Sequence, residues 1–186
     1  MRYKEYHPNR ILEKSIELFW TNGVNGCSIN DIVEYTGVNR FSLYNEFENK
    51  NGILYASFGL YKERFCDTKL AILDKKNDLI QVLLDFYLSF LRDNLIPGCY
   101  FIHVGTELAD SDDRVKSSLK EYLSEIEIQF DKLLIRHDYS QSEASYISKH
   151  LLGLYCTAMS FCLIHDNQEQ ERYLSNSINL ILSKNG

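Results

Sequence analysis

Residues 28–54, SINDIVEYTGVNRFSLYNEFENKNGIL, constrain this chain more than any other stretch, because they read as two short helices meeting at a tight turn. Ser28 followed three residues later by Asp31 is a capping-box-like pair that opens the first helix; Ile32 and Val33 then point inward until Gly37 ends it. Asn39 caps the second helix. Within it Leu43 and Phe47 lie four apart on the inward face, and Arg40, Phe41, Tyr44 and Asn45 fall on the opposite side, where a duplex can lie. The pattern is that of a helix-turn-helix.

Charge limits what such a motif can do here. The 186-residue chain carries a net charge of −6, and acidic residues slightly outnumber basic ones as far as Tyr55. Indiscriminate coating of nucleic acid draws on many Lys and Arg contacts to phosphate, so this balance argues against it. A sequence-specific binder needs only a local patch, which Arg40 and Lys50 can form with Arg2, Lys4 and Arg10. No run of about eighteen apolar residues occurs, and the start MRYKEYHPNR is charged with no apolar region behind it, so neither a membrane span nor a signal peptide is expected and the location expected is cytoplasmic. Cys27, Cys66, Cys99, Cys156 and Cys162 are odd in number and form no CxxC pair, which fits reduced thiols, most of them packing residues.

The remainder reads as all-α. The two prolines, Pro8 and Pro97, stand where helices begin or end, and strand signals are absent. A first helix over 9–22 carries Leu12, Ile16 and Phe19 on one stripe. Asn49 caps a connector with Leu54, Phe58, Tyr61 and Phe65 at helical spacing. Body helices are expected over 78–94, 99–110, 112–136, 142–165 and 168–184, joined by breaks short enough for antiparallel neighbours in a bundle. The predicted architecture is a three-helix head, residues 1–47, on a larger helical-bundle body, residues 48–186.

The run VNRFSLYNEFENKNGIL resembles the recognition-helix signature of the tetracycline-repressor (TetR/AcrR) family of bacterial regulators, with Gly23, Ser28, Gly37, Val38, Leu43, Tyr44, Phe47 and Lys50 at the matching positions. The resemblance implies a homodimer that binds a palindromic double-stranded DNA operator, one recognition helix per subunit, and responds to a small-molecule effector held in the body. It assigns Tyr44 and Lys50 to phosphates and places Ser28, Asn39, Arg40, Phe41, Ser42 and Asn45 on the same DNA-facing surface. Phe41 departs from the family, which often has a small residue there; its ring either packs on a thymine methyl or shields the motif's core. The resemblance also implies that the last two helices pair across a twofold axis. Their small-residue, charge-poor run around Gly153, Thr157 and Ser160 and the stripe Leu174, Ile178, Ile181 and Leu182 are the expected contact faces, tested by charge at Leu154 or Ile178.

Pro97-Gly98-Cys99 is similar to a segment that opens a pocket-side helix in part of that family. Cys99 is then either a sensor thiol, its thiolate favoured by the helix N-terminus, or a packing residue. Phe58, Tyr61, Phe86, Phe90, Tyr100, Tyr122 and Tyr155, with Cys99 and His103, are expected to line a pocket for a small apolar or aromatic effector. His103 and Glu107 lie four apart on one helix but lack a third ligand, so neither a metal nor a cofactor is expected. No phosphate loop, nucleophile elbow or kinase signature occurs, and an enzyme is not expected. The alternatives to a ligand-responsive repressor are a redox or electrophile sensor acting through Cys99 and an all-helical enzyme or carrier.

Overall fold

The structure is a computed structural model that describes residues 6–92, 98–162 and 166–183, and among these every regular element is helical. Helix α1 (Pro8–Asn22) starts with a proline in its first turn, where a missing N–H costs nothing, and buries Ile11, Leu12, Ile16 and Phe19. Helix α2 (Ile29–Thr36) opens on a complete capping box between Ser28 and Asp31 and closes at Gly37, whose φ of 75° is the left-handed conformation that a side chain would strain. The Gly37 N–H donates to the Val33 carbonyl at 2.9 Å. Helix α3 (Arg40–Phe47) is capped by Asn39, which accepts from the Ser42 N–H. Ile32 and Leu43 are wholly buried and fix α2 against α3, while Val33 and Phe47 are half-buried.

Helix α4 (Lys50–Tyr61), capped by Asn49, packs along α1. It does not continue as the single connector expected from the spacing. A π-helical turn, Lys62–Cys66, follows directly, then the short α5 (Asp67–Leu70) and a 3-10 turn, Ala71–Asp74. The wider turn shifts the helical register, and Leu70 and Leu73 thereby reach the core. The side chains of Phe65 and Cys66 lie outside the described residues, as do Arg2, Lys4, Pro97 and His165.

The body comprises α6 (Leu79–Leu91), α7 (Tyr100–Leu108), α8 (Asp113–Ile135), α9 (Gln141–Phe161) and α10 (Asn167–Leu182). Helices α8 and α9 form its main pair, α10 packs on α6 and α9, and α7 bridges α8 to α1 in the head. Gly98 precedes α7 with φ 110°, and a Cβ there would stand 2.7 Å from the Cys162 Sγ, so both conformation and space require glycine. The core is built of rings: Phe86 lies edge-on to Phe90 and Phe130, and Phe90 edge-on to Tyr155. Buried phenols are all paired. Tyr87 donates to the Leu151 carbonyl at 2.7 Å, Tyr122 meets Tyr155 at 2.9 Å and Tyr100 meets Ser57 at 2.8 Å. Burial pushes the Tyr87, Tyr100 and Tyr155 pKa values well above the ordinary phenol range, which keeps these groups neutral.

The final helix corrects one expectation. Leu174 and Ile178 are wholly buried in the subunit's own core, as Leu154 nearly is, because α10 turns its stripe onto α6 and α9. Among the described residues, the large apolar side chains that these two helices expose are Tyr146, Tyr173 and Leu180.

Candidate functional site

Leu43 anchors α3, and the opposite face of that helix stands in solvent. Phe41 is 75% and Tyr44 40% exposed, and Asn45 and Arg40 are exposed as well. The Arg40 guanidinium donates to the Asn30 side-chain oxygen of α2, which tethers it beside the motif. Ser42 is half-buried, and its carbonyl accepts from the Tyr6 hydroxyl at 3.3 Å, tying the segment before α1 to the recognition helix. The oxygens of Ser28 and Asn39 are engaged in their helix caps.

Lys50 carries a structural bond network beside the phosphate role expected of it. Its ammonium donates to the Val24 and Cys27 carbonyls, both at 2.8 Å, so it clamps the turn between α1 and α2 and retains one of three N–H groups for a phosphate. The link from α3 to α4 is equally tight. Glu48 has φ 67°, and the Asn49 N–H donates back to the Phe47 carbonyl at 2.7 Å, a positive-φ γ-turn that leaves α3 and α4 little freedom to move apart. Ser28, Tyr44, Asn49, Lys50, Tyr55 and Arg114 border an open polar groove of about 650 Å³ beside the recognition helix.

The aromatic residues expected around an effector are brought together, but most of them fill the space they were expected to enclose. Tyr61, Phe86, Phe90, Tyr100 and Tyr155 are at most 2% exposed, and Tyr61 contacts Tyr100 with ring centroids 5.4 Å apart. Cys99 is the N-cap of α7, is 2% exposed, and its thiol donates to the Tyr122 hydroxyl at 3.6 Å. His103 is half-buried. Of the expected set, Phe58 and Tyr122 do border an opening, a cleft of about 200 Å³ between α4 and α8. Phe101 lies sandwiched between them, 4.8 Å from the Phe58 ring and 4.4 Å from the Tyr122 ring, both nearly parallel to it. Gly59, Lys62, Arg114, Ser118 and Glu121 complete the lining with Tyr55.

The Glu107 carboxylate is committed to the turn between α1 and α2. It accepts the Val24 N–H at 2.7 Å and the Asn25 N–H at 2.6 Å, and among the described residues no group of metal-ligating side chains is found. Three residues that the sequence did not single out are central here. The Arg114 guanidinium lies over the Tyr55 ring, 4.1 Å from its centre, and the Tyr55 hydroxyl donates to Asp112 at 2.7 Å. Their separation in sequence left no spacing signal.

Comparison with known proteins agrees with this architecture. Residues 11–56 match the sequence profile of the family described as bacterial regulatory proteins, tetR family. The chain is 29% identical over 124 residues to the HTH-type transcriptional repressor ComR of Escherichia coli K12, a match covering 64% of this chain and 59% of that one, less than two thirds of its length. The structure superposes on a TetR-family regulator from Streptomyces coelicolor with a TM-score of 0.82 at 18% identity, covering 94% of this chain and 87% of that one. It also resembles a cysteine mutant of the TetR-family regulator CifR complexed with 26 bp double-strand operator DNA, with a TM-score of 0.78 at 17% identity over 96% of this chain and 98% of the other. These two likenesses concern the fold. No helix among the described residues is long and apolar enough to cross a membrane. Residues 11–56 thus carry the DNA-binding segment of the tetR family of bacterial regulatory proteins, and the all-α body around that segment shares the fold of TetR-family regulators.

Proposed function

We propose that the chain acts as a homodimeric repressor that inserts α3 of each subunit into successive major grooves of a palindromic operator and is released by a small-molecule effector. The observation that carries this reading is the two-faced recognition helix: Leu43 is wholly buried while Phe41, Tyr44 and Asn45 stand in solvent. In this reading the head is residues 1–47 and the body residues 48–186, divided at the Glu48 turn. The repressor sign follows the printed function of the Escherichia coli relative. The two recognition helices of such a dimer lie about 34–36 Å apart or a multiple of it. The effector enters between α4 and α8. Burial of Cys99 and its bond to Tyr122 favour a packing role for that thiol over a sensor role.

Selection of bound duplexes from a genomic fragment pool tests the reading. A palindromic operator should be enriched; Asn45→Ala or Phe41→Ala should change which operator is preferred, and Tyr44→Phe should weaken all sequences alike. A pool with no enriched palindrome would overturn it.

A further inference from the structure

The cleft and the DNA-facing groove share a wall. Tyr55 and Arg114 line both, the groove on the side of Ser28, Tyr44 and Lys50 and the cleft on the side of Phe58, Lys62 and Tyr122. Arg114 belongs to the body, at the start of α8, yet it stands next to the two helix starts that border the groove. Its position is set from three directions. Asp112 caps α8 by accepting the Arg114 and Val115 N–H groups, the same carboxylate accepts the Tyr55 hydroxyl, and the Tyr55 ring carries the guanidinium on its face. The exposed guanidinium makes no hydrogen bond to a described residue, so its five N–H donors, arranged in a planar fork, are open to a ligand. An exposed guanidinium edge between two concavities is a receptor for a planar anion.

The cleft is suited to the rest of such a molecule. The stack of Phe58, Phe101 and Tyr122 supplies aromatic surface, Ser118 a hydroxyl, and Lys62 a second cation, partnered by Glu125 at 2.7 Å. Gly59 faces open space on the α4 side, with no atom within 4 Å of where a Cβ would stand. Resting on the repressor reading above, we infer that the effector is a planar aromatic carboxylate or comparable organic anion bound in the α4–α8 cleft, and that Arg114 is the cation for which effector and DNA phosphate compete. An anion held from the cleft side draws the guanidinium edge away from the groove and neutralises it. The operator loses one phosphate contact per subunit. The coupling is reciprocal: operator binding weakens the anion site by the same factor.

Naphthalene-2-carboxylate and its neutral amide, titrated calorimetrically into the full-length protein without DNA, test the anion site. The acid should bind at least about tenfold more tightly than the amide. Gly59→Met, which fills the cleft, should abolish binding of both, and Arg114→Gln should make the two equal. Operator affinity measured with and without the acid tests the coupling: the acid should weaken binding to the wild type and leave that of Arg114→Gln unchanged, and Arg114→Gln should lower the salt slope by about one per subunit. No binding at millimolar acid, equal binding of acid and amide, binding retained in Gly59→Met, or equal release of DNA from wild type and Arg114→Gln would each overturn the inference. Preference for the acid is read without DNA, so a failure to find an operator defeats the repressor reading and leaves the anion site standing.

Discussion

Val24 is held through both halves of its peptide, its N–H by Glu107 and its carbonyl by Lys50. Charge-assisted bonds of this kind are about twice as strong as neutral ones, and the two grips come from opposite sides, α7 in the body and α4 behind the recognition helix. The α1–α2 turn is thereby fixed to both. Glu107→Ala leaves the Val24 and Asn25 amides without their acceptor and should cost about 1–3 kcal/mol in thermal or denaturant unfolding. Hydrogen exchange at those two amides should rise out of proportion to that of α1 and α2. Uniform exchange across the head would show that the carboxylate contributes nothing local. The sequence placed Glu107 correctly on a helix and four residues from His103, and from that spacing a metal site was the nearest chemical idea. Its true partners lie 83 and 82 residues earlier, a distance over which helical periodicity carries no information.

Helix boundaries were far more legible, because they are written in local chemistry. Ser28, Asn39, Asn49, Asp78, Asp112, Ser140 and Asp166 all accept from N–H groups of the helices they open. The π turn at Lys62–Cys66 was not legible, since nothing in the residues distinguishes it from continued helix. Glycines inside helices show the same divide. Gly59 and Gly105 look alike in sequence, yet a Cβ at Gly59 meets open space and one at Gly105 runs into the Leu119 side chain. Gly59→Ala should stabilise the protein by up to about 1 kcal/mol through helix propensity, raising Tm, whereas Gly105→Ala should not. Equal gains from the two would refute the packing described for α7 against α8. The cap of α8 also responds to pH. Burial raises the Asp112 pKa, but the Tyr55 hydroxyl, the Val115 and Arg114 amides and the Arg114 charge outweigh it and hold the carboxyl below its ordinary value. A folded-state pKa below the unfolded one means that the group stabilises the protein above the unfolded value, about 3.9, and that this is lost as pH falls through the folded value. Asp112→Asn should therefore show a smaller drop in Tm than the wild type between pH 7 and pH 3. A parallel drop would remove Asp112 from the acid response.

Assembly is where the apolar pattern of the sequence misleads, and for a physical reason. A stripe at three-to-four spacing shows that a helix buries one face, but it does not say whether the cover comes from the same chain or from a partner. In α10 the stripe through Leu174 and Ile178 is covered by α6 and α9 of the same subunit, so a charge at Ile178, or at Leu154 in α9, would unfold the monomer and test nothing about dimers. The face left over carries Tyr146 at 68%, Tyr173 at 51% and Leu180 at 76% exposure, beside the exposed Gly153 and Ser160. Large apolar groups set among small residues allow close approach of a second helix pair. On the operator-binding reading proposed above, the head would gain from a second copy, because its few cations give one subunit little hold on phosphate and two half-sites engaged together gain through effective concentration. Tyr173→Glu combined with Leu180→Lys should keep the helical circular dichroism and Tm of the wild-type subunit while halving the mass seen by light scattering at micromolar concentration. Operator affinity should fall by at least about a hundredfold, since each subunit then binds alone. A wild-type monomer under the same conditions would refute the dimer, and a double variant that stays dimeric would place the partner surface elsewhere on the body.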